Sequence, residues 1–113
     1  MITVIVKIKK PDDLNLQQYH AVAQTIVGNF QGVPGLIRKT FLFSDSQGCA
    51  GGAYTWETKE AADTFYAGVW LDNIRKMFGE EPELTYFNTP VIVDNAAGTV
   101  VVADPDSLDG GAQ

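Results

Sequence analysis

The side chains of this 113-residue chain best equipped for chemistry are one histidine, one strand arginine and a scatter of aromatic and amide groups. An imidazole ionising near 6.5 can take up a proton at neutral pH, and His20 stands beside Tyr19 at the border of an apolar helical stripe. The plain alternative is a partly exposed helix histidine without a role. Tyr54 and Trp56 share one parity of a strand, so both point to one face. There they can wall a pocket with polar tips, or pack in a core or a dimer interface. Arg38 suits an oxyanion and equally suits an acidic surface partner. Tyr66, Trp70 and Asn73 fall where a second helical pattern loses its regularity, as a bent segment covering a cavity would; Phe65 and Tyr66 also fit core positions.

Other groups read as structural. Cys49 has no basic neighbour in sequence to lower its pKa, and as the only cysteine it can form no intrachain disulfide. One cysteine and one histidine supply neither a cysteine-based zinc cluster nor a multi-histidine site, so no metal is expected. Gly48 to Gly52 enters a strand and lacks the glycine-lysine ending of a phosphate loop. Asp12-Asp13 and Glu80-Glu81 sit at caps or turns, where solvated charge is normal. A net charge of −6 disfavours nucleic acid and anionic lipid as partners. No apolar run approaches the roughly 20 residues of a membrane span. The N-terminus passes straight into strand-like sequence without a secretory pattern, so the expected location is the cytoplasm.

The elements that must position these groups follow from periodicity and turn chemistry. Ile2 to Lys9 is a β-branched strand that Pro11-Asp12-Asp13 ends. Val22, Ala23, Ile26, Val27 and Phe30 form one stripe of a helix predicted over 14–30, closed by Gly32 and Val33-Pro34-Gly35. Leu36 to Ser44 and Ala50 to Glu57 make a hairpin around Asp45-Ser46-Gln47-Gly48. Thr58 caps a second helix carrying Ala61, Ala62, Phe65, Tyr66 and Val69, continuing irregularly to Phe78. Glu83 to Val93 is a fourth strand with Pro90 at an edge or bulge. The size and composition are those of one folded domain, here residues 1–94. Residues 95–113 form an extension, with a short strand at 99–103 and then a flexible tail. The resulting βαββαβ order predicts a ferredoxin-like α+β fold, with two helices on one face of a four-stranded antiparallel sheet. Apolar residues on both strand parities predict that the bare face is covered as well, by a second copy of the chain packed sheet to sheet.

Pro34-Gly35-Leu36 with Lys39, then Gly51-Gly52-Ala53-Tyr54-Thr55-Trp56, then Ala61 with Phe65 and Tyr66 are carried in that order. This pattern resembles the dimeric α+β-barrel superfamily, and within it the YdhR-like family of monooxygenases related to the antibiotic-biosynthesis monooxygenases. The likeness is strongest from Pro34 to Asn88, and strand one and helix one agree in layout only. The resemblance implies a homodimer with a cavity between sheet and helices in each subunit. There a small aromatic or polyketide-like substrate would react with oxygen without flavin, haem or metal. On that reading His20, Tyr54 and Arg38 are the catalytic candidates, and Trp56, Tyr66, Trp70 and Asn73 contact substrate. A non-catalytic small-molecule-binding or stress-related module, or an isomerase or lyase on the same fold, are the alternatives.

Overall fold

A computed structural model describes residues 1–105. Its elements are β1 (Ile2–Lys9), α1 (Leu16–Thr25) with a 3-10 turn at Val27–Asn29, β2 (Leu36–Ser44), β3 (Cys49–Trp56), α2 (Lys59–Tyr66), α3 (Val69–Phe78), β4 (Glu83–Asn88), β5 (Val91–Asp94) and β6 (Thr99–Val102). The first four strands form an antiparallel sheet in the order β2-β3-β1-β4, and β5 pairs with β6 alone. The expected α+β ferredoxin-like architecture is present. Of the tail expected over 104–113, residues 106–113 lie outside the described residues.

Strand alternation builds the core. Ile2, Val4, Val6 and Ile8 all face the helices and are buried; opposite them on β3 stand Trp56, Tyr54, Gly52 and Ala50. Ala62, Tyr66 and Trp70 descend on this layer from α2 and α3. Removing each large apolar side chain from water stabilises the fold by about 1.5–3 kcal/mol.

The helices depart from expectation where local chemistry intervenes. The first starts at Leu16, because Asn15 accepts from the Gln18 amide while the Gln18 side chain accepts from the Asn15 amide, a reciprocal capping box. It ends at Thr25 rather than Phe30: Ile26 leaves helical geometry within the β-branched run Thr25-Ile26-Val27, and the chain continues as the 3-10 turn. The second helix is two, parted at Ala67-Gly68, with Gly68 in extended backbone as the N-cap of α3. The strand expected over 83–93 is also divided. After the Thr89 amide donates to the Met1 carbonyl, Pro90 offers no donor, and the chain leaves the sheet as the β5–β6 hairpin. Asp94, the expected end of the domain, pairs with Thr99 inside that hairpin.

Gly51 and Gly35 are demanded by close approach. A Cβ on Gly51 would fall 1.9 Å from the Val6 carbonyl oxygen, and one on Gly35 would fall 2.6 Å from Ala61 Cβ. Both belong to the Gly-containing stretches singled out in the sequence.

Candidate functional site

A cavity of about 690 Å³ opens between α1, α3 and the helix-facing side of the sheet. Val22 and Ala23 of α1, with Ile26 just beyond it, form one wall, and Trp70, Asn73, Ile74 and Met77 of α3 form the other. Lys39, Phe41, Gly51 and Tyr54 make the floor, with Phe30 at one end. The walls are predominantly apolar and aromatic, with a few polar groups, the make-up typical of a small-molecule site.

Lys39 is the chemically distinctive group in the floor. A register shift between Leu36 and Arg38 reverses the parity of β2, so Leu36 packs against the core and Lys39, Phe41 and Phe43 face the helices. The Lys39 ammonium lies 3.7 Å from the Phe30 ring centre, 3.9 Å from that of Phe41 and 4.5 Å from that of Tyr54. It donates one hydrogen bond, 2.8 Å, to the Tyr54 hydroxyl. Among the described residues no carboxylate lines the cavity. Lys10, by contrast, is buried in a conventional way: it pairs with Asp45 at 3.2 Å and donates to the Leu14 carbonyl. Burial lowers the Lys39 pKa from 10.5 to about 7. The three ring faces favour the cation and work in the opposite sense to that desolvation. The outcome is an amine largely able to exist neutral at physiological pH.

Gly52 makes this arrangement possible. A side chain there would meet the Thr40 carbonyl oxygen at 2.9 Å, Lys39 Cε at 3.2 Å and a Tyr54 ring carbon at 3.2 Å. The space a Cβ would occupy is where the amine stem and the phenol ring approach each other.

Tyr54 is 1% exposed, and burial pushes its hydroxyl pKa well up, so it stays protonated as a donor. Trp70 is 7% exposed, and its indole Nε1 is buried without a hydrogen bond of sound geometry among the described residues. Its influence on the Tyr54 phenol is a weak opposing one. Tyr19, on α1, donates at 2.9 Å to the Gly51 carbonyl and packs its ring 5.2 Å from Phe43, which ties α1 to the floor. Its pKa too is raised by burial.

The residues expected at a site separate into three groups. Tyr54, Trp70 and Asn73 line the cavity. Trp56 and Tyr66 do not; they lie in the core, where Trp56 Nε1 donates to the Tyr66 hydroxyl at 3.1 Å. Burial drives the Tyr66 pKa strongly upward. His20 and Arg38 are placed elsewhere. His20 is exposed on α1, hydrogen-bonded to Gln24 one turn on, because the stripe of α1 that faces the cavity runs through Tyr19, Ala23 and Ile26. Arg38 lies on the opposite sheet face beside Thr55 and pairs with Asp94 at 3.3 Å, a consequence of the same register shift that turns Lys39 inward. Lys39 and Tyr19 were missing from the expected site. The available signal was Lys39 on the parity of Phe41 and Phe43, a cation among inward-facing aromatic residues.

Among the described residues no group of three or more His, Cys, Asp or Glu side chains is placed to hold a metal ion, and no helix is long and apolar enough to cross a membrane. No protein-family model and no curated protein matches the chain. Among solved structures it is similar to one described as a "putative antibiotic biosynthesis monooxygenase" from Deinococcus radiodurans, with 14% identity and a TM-score of 0.58 over 83% of this chain and 97% of that one. At that identity the likeness is one of fold, and it agrees with the ferredoxin-like α+β architecture of this chain.

Proposed function

We propose that the protein is a cofactor-independent monooxygenase of the YdhR-like kind, acting on a small aromatic or polyketide-like substrate as a cytoplasmic homodimer. Lys39 carries the reading: an amine with a pKa of about 7, inside an aromatic cavity and hydrogen-bonded to Tyr54. Such a group takes a proton at neutral pH as effectively as the imidazole that the sequence offered, and unlike His20 it faces a substrate-sized space.

With an anthrone as substrate the steps balance. Neutral Lys39 removes a proton from the acidic methylene, and the Tyr54 hydroxyl and the Trp70 indole N–H are the donors available to the enolate oxygen. The carbanion passes one electron to dioxygen, and the radical pair recombines and is protonated to a hydroperoxide. Loss of water leaves the quinone carbonyl, so one oxygen atom enters the product and the other leaves as water. The apolar walls keep bulk water from quenching the carbanion.

Oxygen uptake with anthrone, measured for the native chain and for Lys39→Met, tests this. A loss of about 10² or more in kcat is expected, the usual contribution of a general base. Uptake in Lys39→Met within tenfold of native, or no uptake by the native chain above the uncatalysed rate, overturns the proposal. In the second case retained anthrone binding would point to the binding-module alternative.

A further inference from the structure

Lys39 has a second chemical capacity that proton transfer does not use. Its amine lines a cavity with no carboxylate among the described residues, so none of them supplies a counter-ion to hold it as an ammonium. The titratable groups that line the same cavity among the described residues are Tyr54 from β3, Tyr19 from α1 and Lys76 from α3, and the two phenols stay protonated. Three aromatic rings surround the amine on the floor, while the walls of α1 and α3 leave a space of about 690 Å³ above it.

We propose that Lys39 is a nucleophile that captures aromatic or conjugated aldehydes and ketones as imines within this cavity. The nitrogen lone pair forms the N–C bond, and the carbonyl π pair moves to oxygen, which takes a proton. The Tyr54 hydroxyl, 2.8 Å from Nζ, is placed to hydrogen-bond this carbinolamine oxygen. The C–O bond then breaks and a second proton passes from nitrogen to the departing oxygen. Amine and carbonyl thus become imine and water, with no oxidant or reductant required. The aromatic walls select flat, apolar carbonyl compounds over small polar ones.

The amine's ionisation gives the selectivity its magnitude. An ordinary lysine near 10.4 has about one amine in 2,500 neutral at pH 7, whereas a group at about 7 has roughly half. A desolvated amine is a somewhat weaker nucleophile, so the expected preference is on the order of 10².

The test is reductive trapping of the full chain at pH 7 in oxygen-free buffer, using 2-naphthaldehyde and cyanoborohydride, followed by peptide mass mapping. Lys39 should be labelled on the order of 10²-fold faster than the other lysines. It should also be labelled ahead of the N-terminal amine, and glyceraldehyde should lose that last preference. Tyr54→Phe should slow labelling at Lys39 about tenfold without redistributing it, and Lys39→Arg should leave the labelling elsewhere unchanged. Labelling spread over the surface lysines with none enriched at Lys39 overturns the proposal, as does equal preference for the two aldehydes. Because no oxygen is present, imine capture and the oxygenase reading can each fail without the other.

Discussion

A cation placed among three aromatic rings, with no acidic partner among the described residues, costs the fold stability, and that cost has a definite pH dependence. Lys39 titrates at about 7 in the folded chain and near 10.4 when unfolded. Between those values the unfolded chain binds a proton that the folded chain does not, so stability rises with pH across that window and is flat below it. The rise is read between pH 7 and 9.5, since the buried tyrosines, whose folded pKa values are raised, begin to subtract stability above about 10. Lys39→Met should abolish the rise and stabilise the protein at pH 7 by about 1–3 kcal/mol, as replacing a buried charge by a matched apolar group commonly does. Urea unfolding at several pH values checks this; an unchanged pH profile in the variant would contradict it. His20 and Arg38 give the opposite expectation: His20→Ala and Arg38→Ala should each keep oxygen uptake within about threefold of native, and the exposed Arg38–Asp94 pair should contribute no more than about 1 kcal/mol. A tenfold loss of uptake in either would return that residue to the site.

At the scale of elements, the site depends on one register shift and one missing side chain. Gly52→Ala should destabilise the fold by about 1–3 kcal/mol through contact with the Thr40 carbonyl, and should part Lys39 from Tyr54. A loss of activity larger than the loss of stability explains is expected. Native activity in this variant would show that the Lys39–Tyr54 contact is dispensable. These features also explain what the sequence disclosed. The βαββαβ order and the hairpin were readable because alternation and turn residues leave local marks. The inward turn of Lys39 was not, because strict alternation from Leu36 puts Arg38 and Lys39 on the wrong faces unless the bulge is known. His20 was misplaced for a related reason. A helix stripe has a border, and a rotation of one position decides whether a border residue meets cavity or water. Tyr54 and Trp70 could be found because large aromatic side chains on core-facing elements turn inward, although the same signal fits Trp56 and Tyr66, which lie in the core and not at the cavity.

The whole molecule retains a surface to be covered. Its outer sheet face exposes Leu42 and Phe87, with Ile37 at the bulge, and the β5–β6 hairpin exposes Val91, Val93, Val100, Val101 and Val102. The dimensions of 44 × 30 × 27 Å are those of an elongated body, longer than a sphere of the same chain. The proposed sheet-to-sheet homodimer would bury the outer face, and Phe87→Asp, which places a charge there, should yield a monomer in light scattering at micromolar concentration. A native chain that is itself monomeric would dismiss the dimer while leaving the cavity, which a single chain forms, untouched. The neutral amine on which both proposed activities depend is observable without any substrate. An NMR titration of the chain with lysine carbon-13 labelled at Cε, the Lys39 signal assigned by its absence in Lys39→Met, should show Lys39 changing protonation near pH 7. A Lys39 signal that titrates near pH 10 would contradict the central claim, leaving an ammonium held by aromatic rings and a cavity without a base.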